Sequence, residues 1–222
     1  MWLINNWWKL LAIVLLGYTI IFGLLVEIPD LPIIHETIRN LFFHVAINMA
    51  MMLLMLISFI YAILYLSKER KTLDYWSSQF ANVGLLFGIL GLITGSLWAK
   101  YTWGAWWVSD PQLNGVAITL LIYIAYFILR NSITEQAKRS RISAVYNIFA
   151  FVLLIVFIGL VPKFTDSLHP GKGGNPAFNK YDLDNTLRTV FYPAIIGWSL
   201  LGIWLVQLKK RMLCIENKIL DS

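Results

Sequence analysis

Three histidines and one dense run of tryptophans are the residues here whose types and spacing could do chemistry beyond packing. His44 lies in "NLFFHVAINM", just inside an apolar run, His169 in "TDSLHPGKGGNPAF", and His35 in "PDLPIIHETIRN". Between His44 and His169 in the chain comes "WGAWWVSDPQLNG", residues 103–115, with Trp103, Trp106 and Trp107 set around Gly104 and Ala105. A neutral imidazole near membrane depth is costly unless it is hydrogen-bonded or ligates something, and it tends to face a protein interior or a cavity. Two such imidazoles from separate elements can bind an iron from opposite faces. The plainer alternative is a helix-end His44 bonded to a backbone carbonyl and a His169 exposed in a loop. His35 precedes Glu36 and Thr37 at the start of a short surface helix, where a capping or solvated role is the cheaper explanation.

The tryptophans admit two readings. Indoles collect at membrane interfaces, and that belt accounts for Trp2, Trp7, Trp8, Trp76 and Trp98, which sit singly or in pairs at helix ends. The cluster at 103–107 instead fits a platform for a flat apolar ligand, such as a porphyrin held between the two imidazoles. If the segment is helical, Trp103, Trp106 and Trp107 share a face at spacings of three and four. Gly104 and Ala105 leave little bulk between the rings, so a ligand or a neighbouring backbone can come close. Asp110 followed by Pro111 is a helix-start signature, the carboxylate accepting from first-turn amides. No second carboxylate or base lies nearby in sequence, so Asp110 reads as the cap of the fourth helix rather than a catalytic acid. A zinc site is poorly served, because no thiolate and no closely spaced histidine pair is offered alongside these residues.

The elements that must hold these residues are membrane helices. Of the 222 residues, 59% are hydrophobic and 14% charged, and a bilayer core about 30 Å thick takes roughly 20 apolar residues per helix. Six spans are predicted, at 8–26, 41–66, 80–98, 113–129, 142–161 and 189–208, forming one domain over 1–222, an all-α six-transmembrane-helix bundle. The first run is too long for a signal peptide and lacks a small-residue cleavage site, so it reads as a retained helix. Twelve of the 18 basic residues fall in the N-terminus and the segments 67–79, 130–141 and 209–222. By the positive-inside rule both termini are then cytoplasmic, and the histidines and the tryptophan loop between the third and fourth helices face outward. Short inner loops and anionic lipid account for the basic balance, so no nucleic-acid partner is implied. The single Cys214 excludes an internal disulfide and a CxxC redox pair, and no CxxCH, P-loop or Gly-rich nucleotide fingerprint occurs.

At these residues the chain resembles the six-helix CcmC branch of the tryptophan-rich "WWD" superfamily, the haem-handling proteins of cytochrome c maturation. The pattern W-G-x-W-W-x-W-D-x-R-L-T is met by Trp103, Gly104, Trp106, Trp107, Asp110 and Leu113. His44 and His169 stand where the family has one histidine opening the second helix and another between the fifth and sixth. Ser109, Gln112 and Asn114 depart from the family's third Trp, its Arg and its Thr. The missing Arg removes a bidentate partner for a haem propionate, for which Lys100, Lys163, Lys172 or Arg188 are the candidates.

The resemblance implies haem b held transiently between His44 and His169 over Trp103, Gly104, Trp106, Trp107 and Asp110, at the periplasmic face of a bacterial inner membrane. It implies binding and presentation rather than turnover. The implied partners are an ABC transporter of the CcmA/CcmB type and a membrane-anchored periplasmic haem chaperone of the CcmE type. Two other classes compete. A permease subunit of an ABC transporter, passing haem between helices, would want polar residues at mid-membrane, where Asn48, Ser58, Asn82, Thr94 and Ser96 are uncharged and few. A membrane redox protein with b-type haem would want paired histidines near both surfaces, whereas all three here fall on one side.

Overall fold

In hydrocarbon a chain must satisfy its own amides, and these apolar runs do so as helices. The computed structural model describes residues 2–28, 35–169 and 183–220, with side chains for all of these except 2–5, 35, 214 and 216–220. The described residues are all-helical apart from short connections, and six helices are long and apolar enough to cross a membrane. They are α1 (Trp2–Leu25), α2 (His44–Lys68), α3 (Lys71–Trp103), α4 (Pro111–Ser132), α5 (Gln136–Leu154) and α6 (Asn185–Leu220). A 3-10 segment, His35–Phe42, leads into α2, and α5 runs on through a π-helical turn, Ile155–Leu160, into a 3-10 turn at Val161–Lys163. The side chains of His35 and Cys214, and Lys172 altogether, lie outside the described residues.

The helices are longer than the apolar runs that announce them. α3 begins at Lys71 rather than 80 and α5 at Gln136 rather than 142, because polar first turns extend beyond the hydrocarbon that hydropathy detects. α1 leans on α6, α2 packs against α3, α5 and α6, and α4 pairs with α5.

The α2–α3 contact sets the geometry of one end of the bundle. Gly84, Gly88, Gly91 and Gly95 form a stripe on α3 that faces Met55, Met51, Asn48 and His44 of α2 in turn; a Cβ at Gly88 would also run into Leu120 of α4. Small residues let membrane helices approach closely, and here α2 side chains face the stripe in a constant antiparallel register while α4 shares the gap at Gly88.

At the opposite end, which carries most of the basic residues, Arg130 on α4 forks onto Asp74 on α3 through two bonds of 2.7 Å. Ser140 of α5 donates to the same carboxylate at 2.8 Å. Arg130, grouped from sequence with the loop cations, is therefore part of a three-helix ion pair. One layer deeper, Asn147 donates to the hydroxyls of Ser58 and Ser77, which bond reciprocally to each other's backbone carbonyls.

Candidate functional site

His44 is the first residue of α2, and α3 decides how its ring stands. Its Nδ1 lies 2.9 Å from the carbonyl oxygen of Gly91 and 3.2 Å from the hydroxyl of Thr94. A carbonyl can only accept, so Nδ1 carries the hydrogen and Nε2 holds the lone pair. Gly95 fits the ring itself: a Cβ there would lie 2.6 Å from His44 Cε1. Trp98, one turn further on, meets the imidazole edge-on at 5.8 Å. The 3-10 segment braces this wall, since Trp98 Nε1 donates to Thr37 and Asn40 donates to the Thr94 carbonyl, both at 3.0 Å. Trp98 thus packs against the candidate site as well as ending a span, a role that the belt reading omitted.

Asp110 is the N-cap of α4, accepting from the amides of Gln112 at 2.9 Å and Leu113 at 3.3 Å, with Pro111 in the first turn. The same carboxylate gathers the segment that follows α5. Ser167 Oγ and the Leu168 amide donate to Oδ2 at 2.8 Å each, and His169 Nδ1 lies 2.9 Å from Oδ1. The carboxylate accepts, so His169 also places a hydrogen on Nδ1, which in the neutral ring leaves the lone pair on Nε2. Burial pushes the Asp110 carboxyl up most strongly. The Leu168 amide, the Ser167 hydroxyl, the nearby imidazole and the Gln112 amide together outweigh burial and hold it below the ordinary carboxylate range. It is ionised at neutral pH and can orient the imidazole as second-sphere carboxylates do.

The approach of the two chain segments is set lower down. Gly115, in the first turns of α4, faces the carbonyl of Phe157 in the π-helical turn, closely enough that a Cβ would collide with it. That contact seats the end of α5 against the start of α4 and delivers residues 167–169 to Asp110. The end of α3 links the two histidines: Gly95 and Trp98 meet His44, and Trp103, five residues beyond Trp98, packs on His169. The structure thus brings both candidate ligands to one end of the bundle, each with Nδ1 turned onto an oxygen acceptor. This is the donor chemistry that a bis-imidazole iron site requires.

The tryptophan loop departs from its expected form. α3 ends at Trp103, and Gly104 caps it at φ +81°, a left-handed turn where its amide bonds back to Lys100. Residues beyond it are not helical, so Trp103, Trp106 and Trp107 share no helix face. Gly104 is needed for that backbone turn; a Cβ there would meet nothing within 4 Å, so it makes no room between rings. Trp103 packs on His169 with ring centroids 5.5 Å apart. Trp106 and Trp107 are 59% and 43% exposed, and Trp107 donates to the Asn114 side chain at 3.2 Å. One indole therefore touches a candidate ligand and two stand open beside it.

Among the candidate propionate partners, Lys100 donates to the Gly104 carbonyl at 3.0 Å, and Lys163 is exposed. Gln112 has a buried amide oxygen with no hydrogen-bond partner among the described residues. The residues that sequence reasoning missed are Gly91, Thr94, Gly95 and Ser167. The glycine spacing along α3, repeating every three or four residues like the His44, Asn48, Met51 and Met55 side chains on α2, is the signal that could have found Gly91 and Gly95.

A protein-family model described as CcmC, heme exporter protein C, matches residues 2–221. Among individual proteins, the chain is 35% identical over 88 residues to the cytochrome c biogenesis protein CcsA of Cuscuta reflexa, covering 39% of this chain and 29% of that protein. The CcsA of Prochlorococcus marinus is 39% identical over 92 residues, covering 41% of this chain and 28% of that protein. The heme exporter protein C of Paracoccus denitrificans is 23% identical over 175 residues, covering 79% of this chain and 72% of that protein. The chain spans under a third of the length of the CcsA relatives it matches.

Proposed function

The chain belongs to the CcmC, heme exporter protein C, family, and from that membership and the paired imidazoles we propose that it binds haem and presents it for handover in c-type cytochrome biogenesis. His44 and His169 are the axial ligands in this reading, each giving Nε2 to the iron. Haem is the cargo, and its iron supplies the two axial positions. Gly91 and Thr94 hold one imidazole and Asp110 the other, while Trp103, Trp106 and Trp107 provide the apolar platform. The observation that carries the reading is that two histidines at one end of the bundle each turn Nδ1 onto an oxygen acceptor, one of them packed on Trp103.

By the basic-residue asymmetry this end is periplasmic, with both termini cytoplasmic. The partners are a membrane-anchored periplasmic haem chaperone, which takes the cargo, and an ABC transporter. A haem route between the helices is less well supported, because Ser58, Ser77 and Asn147 bond to one another. The test is the absorbance of protein purified with haem. His44→Ala and His169→Ala should each lose low-spin haem or shift its Soret band, while His35→Ala leaves both unchanged. An equal effect from all three would overturn the assignment.

A further inference from the structure

We propose that the basic end of the bundle holds one anionic diacyl phospholipid, headgroup on the Lys209–Lys210 pair and acyl chain in the cleft between α2, α3 and α6. The cleft has a volume of about 190 Å³ and is lined by Tyr61, Trp76, Phe80, Ile203, Val206 and Gln207. Its rings are ordered for a chain to lie along: Tyr61 and Phe80 have centroids 5.8 Å apart and planes within 16° of parallel. At its rim Lys210 Nζ stands 4.8 Å over Trp76, and Lys209 Nζ is held on the Asn82 side-chain oxygen. Lys9 lies close to the same end of α6, over the Trp204 ring and bonded to Asn6, with Arg211 within electrostatic range.

No acidic side chain among the described residues pairs with Lys9, Lys209, Lys210 or Arg211. Topology asks only that this end be basic; it does not ask that the cations be fixed by an amide oxygen and an indole face beside a cleft walled by aromatic and aliphatic side chains with Gln207 among them. A cleft flanked by lysines that have no acidic partner among the described residues is complementary to a molecule with an anionic head and an apolar tail. The leaflet surrounding it supplies such molecules at high local concentration. A zwitterionic lipid carries its own ammonium group and gains less from the same lysines.

The site stands apart from the histidine end, so its test does not depend on haem. The full chain, purified in detergent, is titrated with phosphatidylglycerol or phosphatidylcholine carrying brominated acyl chains, which quench nearby indoles. Phosphatidylglycerol should quench saturably, with a contribution lost in Trp76→Phe, and phosphatidylcholine should do so much more weakly. Lys209→Gln combined with Lys210→Gln should raise the phosphatidylglycerol midpoint about tenfold or more, and the two Lys→Arg changes should restore it. Lys68→Gln with Lys138→Gln removes the same charge from exposed positions and should leave the midpoint in place. Equal quenching by the two lipids, an equal shift in the exposed control, or displacement of the lipid by stoichiometric haemin would each overturn the assignment.

Discussion

His44 and His169 reach the same chemical state through different supports. One imidazole is held by helix backbone and a missing side chain, the other by a buried carboxylate. The supports make separate predictions. Gly95→Ala places a Cβ 2.6 Å from His44 Cε1, which forces the ring to turn off the Gly91 carbonyl. Haem content should fall towards that of His44→Ala, with a high-spin component in the spectrum. Gly17→Ala, where an added Cβ meets nothing within 4 Å, should behave as the parent. Asp110→Asn can still cap α4, since asparagine serves well at that position. Its amide nitrogen replaces one of two oxygens that both accept, so haem affinity should drop about 10–100-fold together with a modest fall in unfolding temperature. Haem titrations and thermal scans of the three variants separate a ligand effect from a folding effect.

At the scale of the helices, the two ends of the bundle are fastened by unlike means. The glycine stripe of α3 closes on α2 by shape, whereas α3, α4 and α5 are joined by the charge pair of Asp74 and Arg130. Removing one member of a buried pair strands the other, so Asp74→Ala or Arg130→Ala should each cost about 3–5 kcal/mol, read as detergent unfolding. The haem spectrum of the surviving folded protein should be unaltered, because the pair lies at the opposite end. The six spans were legible in hydropathy, and the cap at Asp110 was legible in the Asp-Pro pair. The Asp110–His169 contact was not, since its partners are 59 residues apart and neither residue type announces the other. The tryptophan spacing misled for a local reason. Periodicity assumes that a helix continues, and one glycine in a left-handed turn at 104 ended it. Arg130 looked like a loop cation because the helix that buries it runs past the apolar residues.

For the whole molecule, sidedness rests on charge asymmetry alone, and it decides which compartment the two histidines meet. In a chain whose Cys214 has been replaced, a cysteine at the exposed position Asp166 should react with a membrane-impermeant thiol reagent in intact spheroplasts. One at Lys138 should react only after lysis. The reverse pattern would turn the protein over and withdraw a periplasmic handover. The Asp110 carboxylate also bears on the order of assembly. Its donors at Gln112 and Leu113 are within reach as soon as α4 forms, but those at Ser167, Leu168 and His169 emerge only after α5 has crossed the bilayer. During synthesis the carboxylate is first a helix cap and only later the partner of a histidine. If His44 and His169 hold the cargo as proposed, a nascent chain has the first imidazole and the indoles long before the second, and the site closes only when most of the protein has been made.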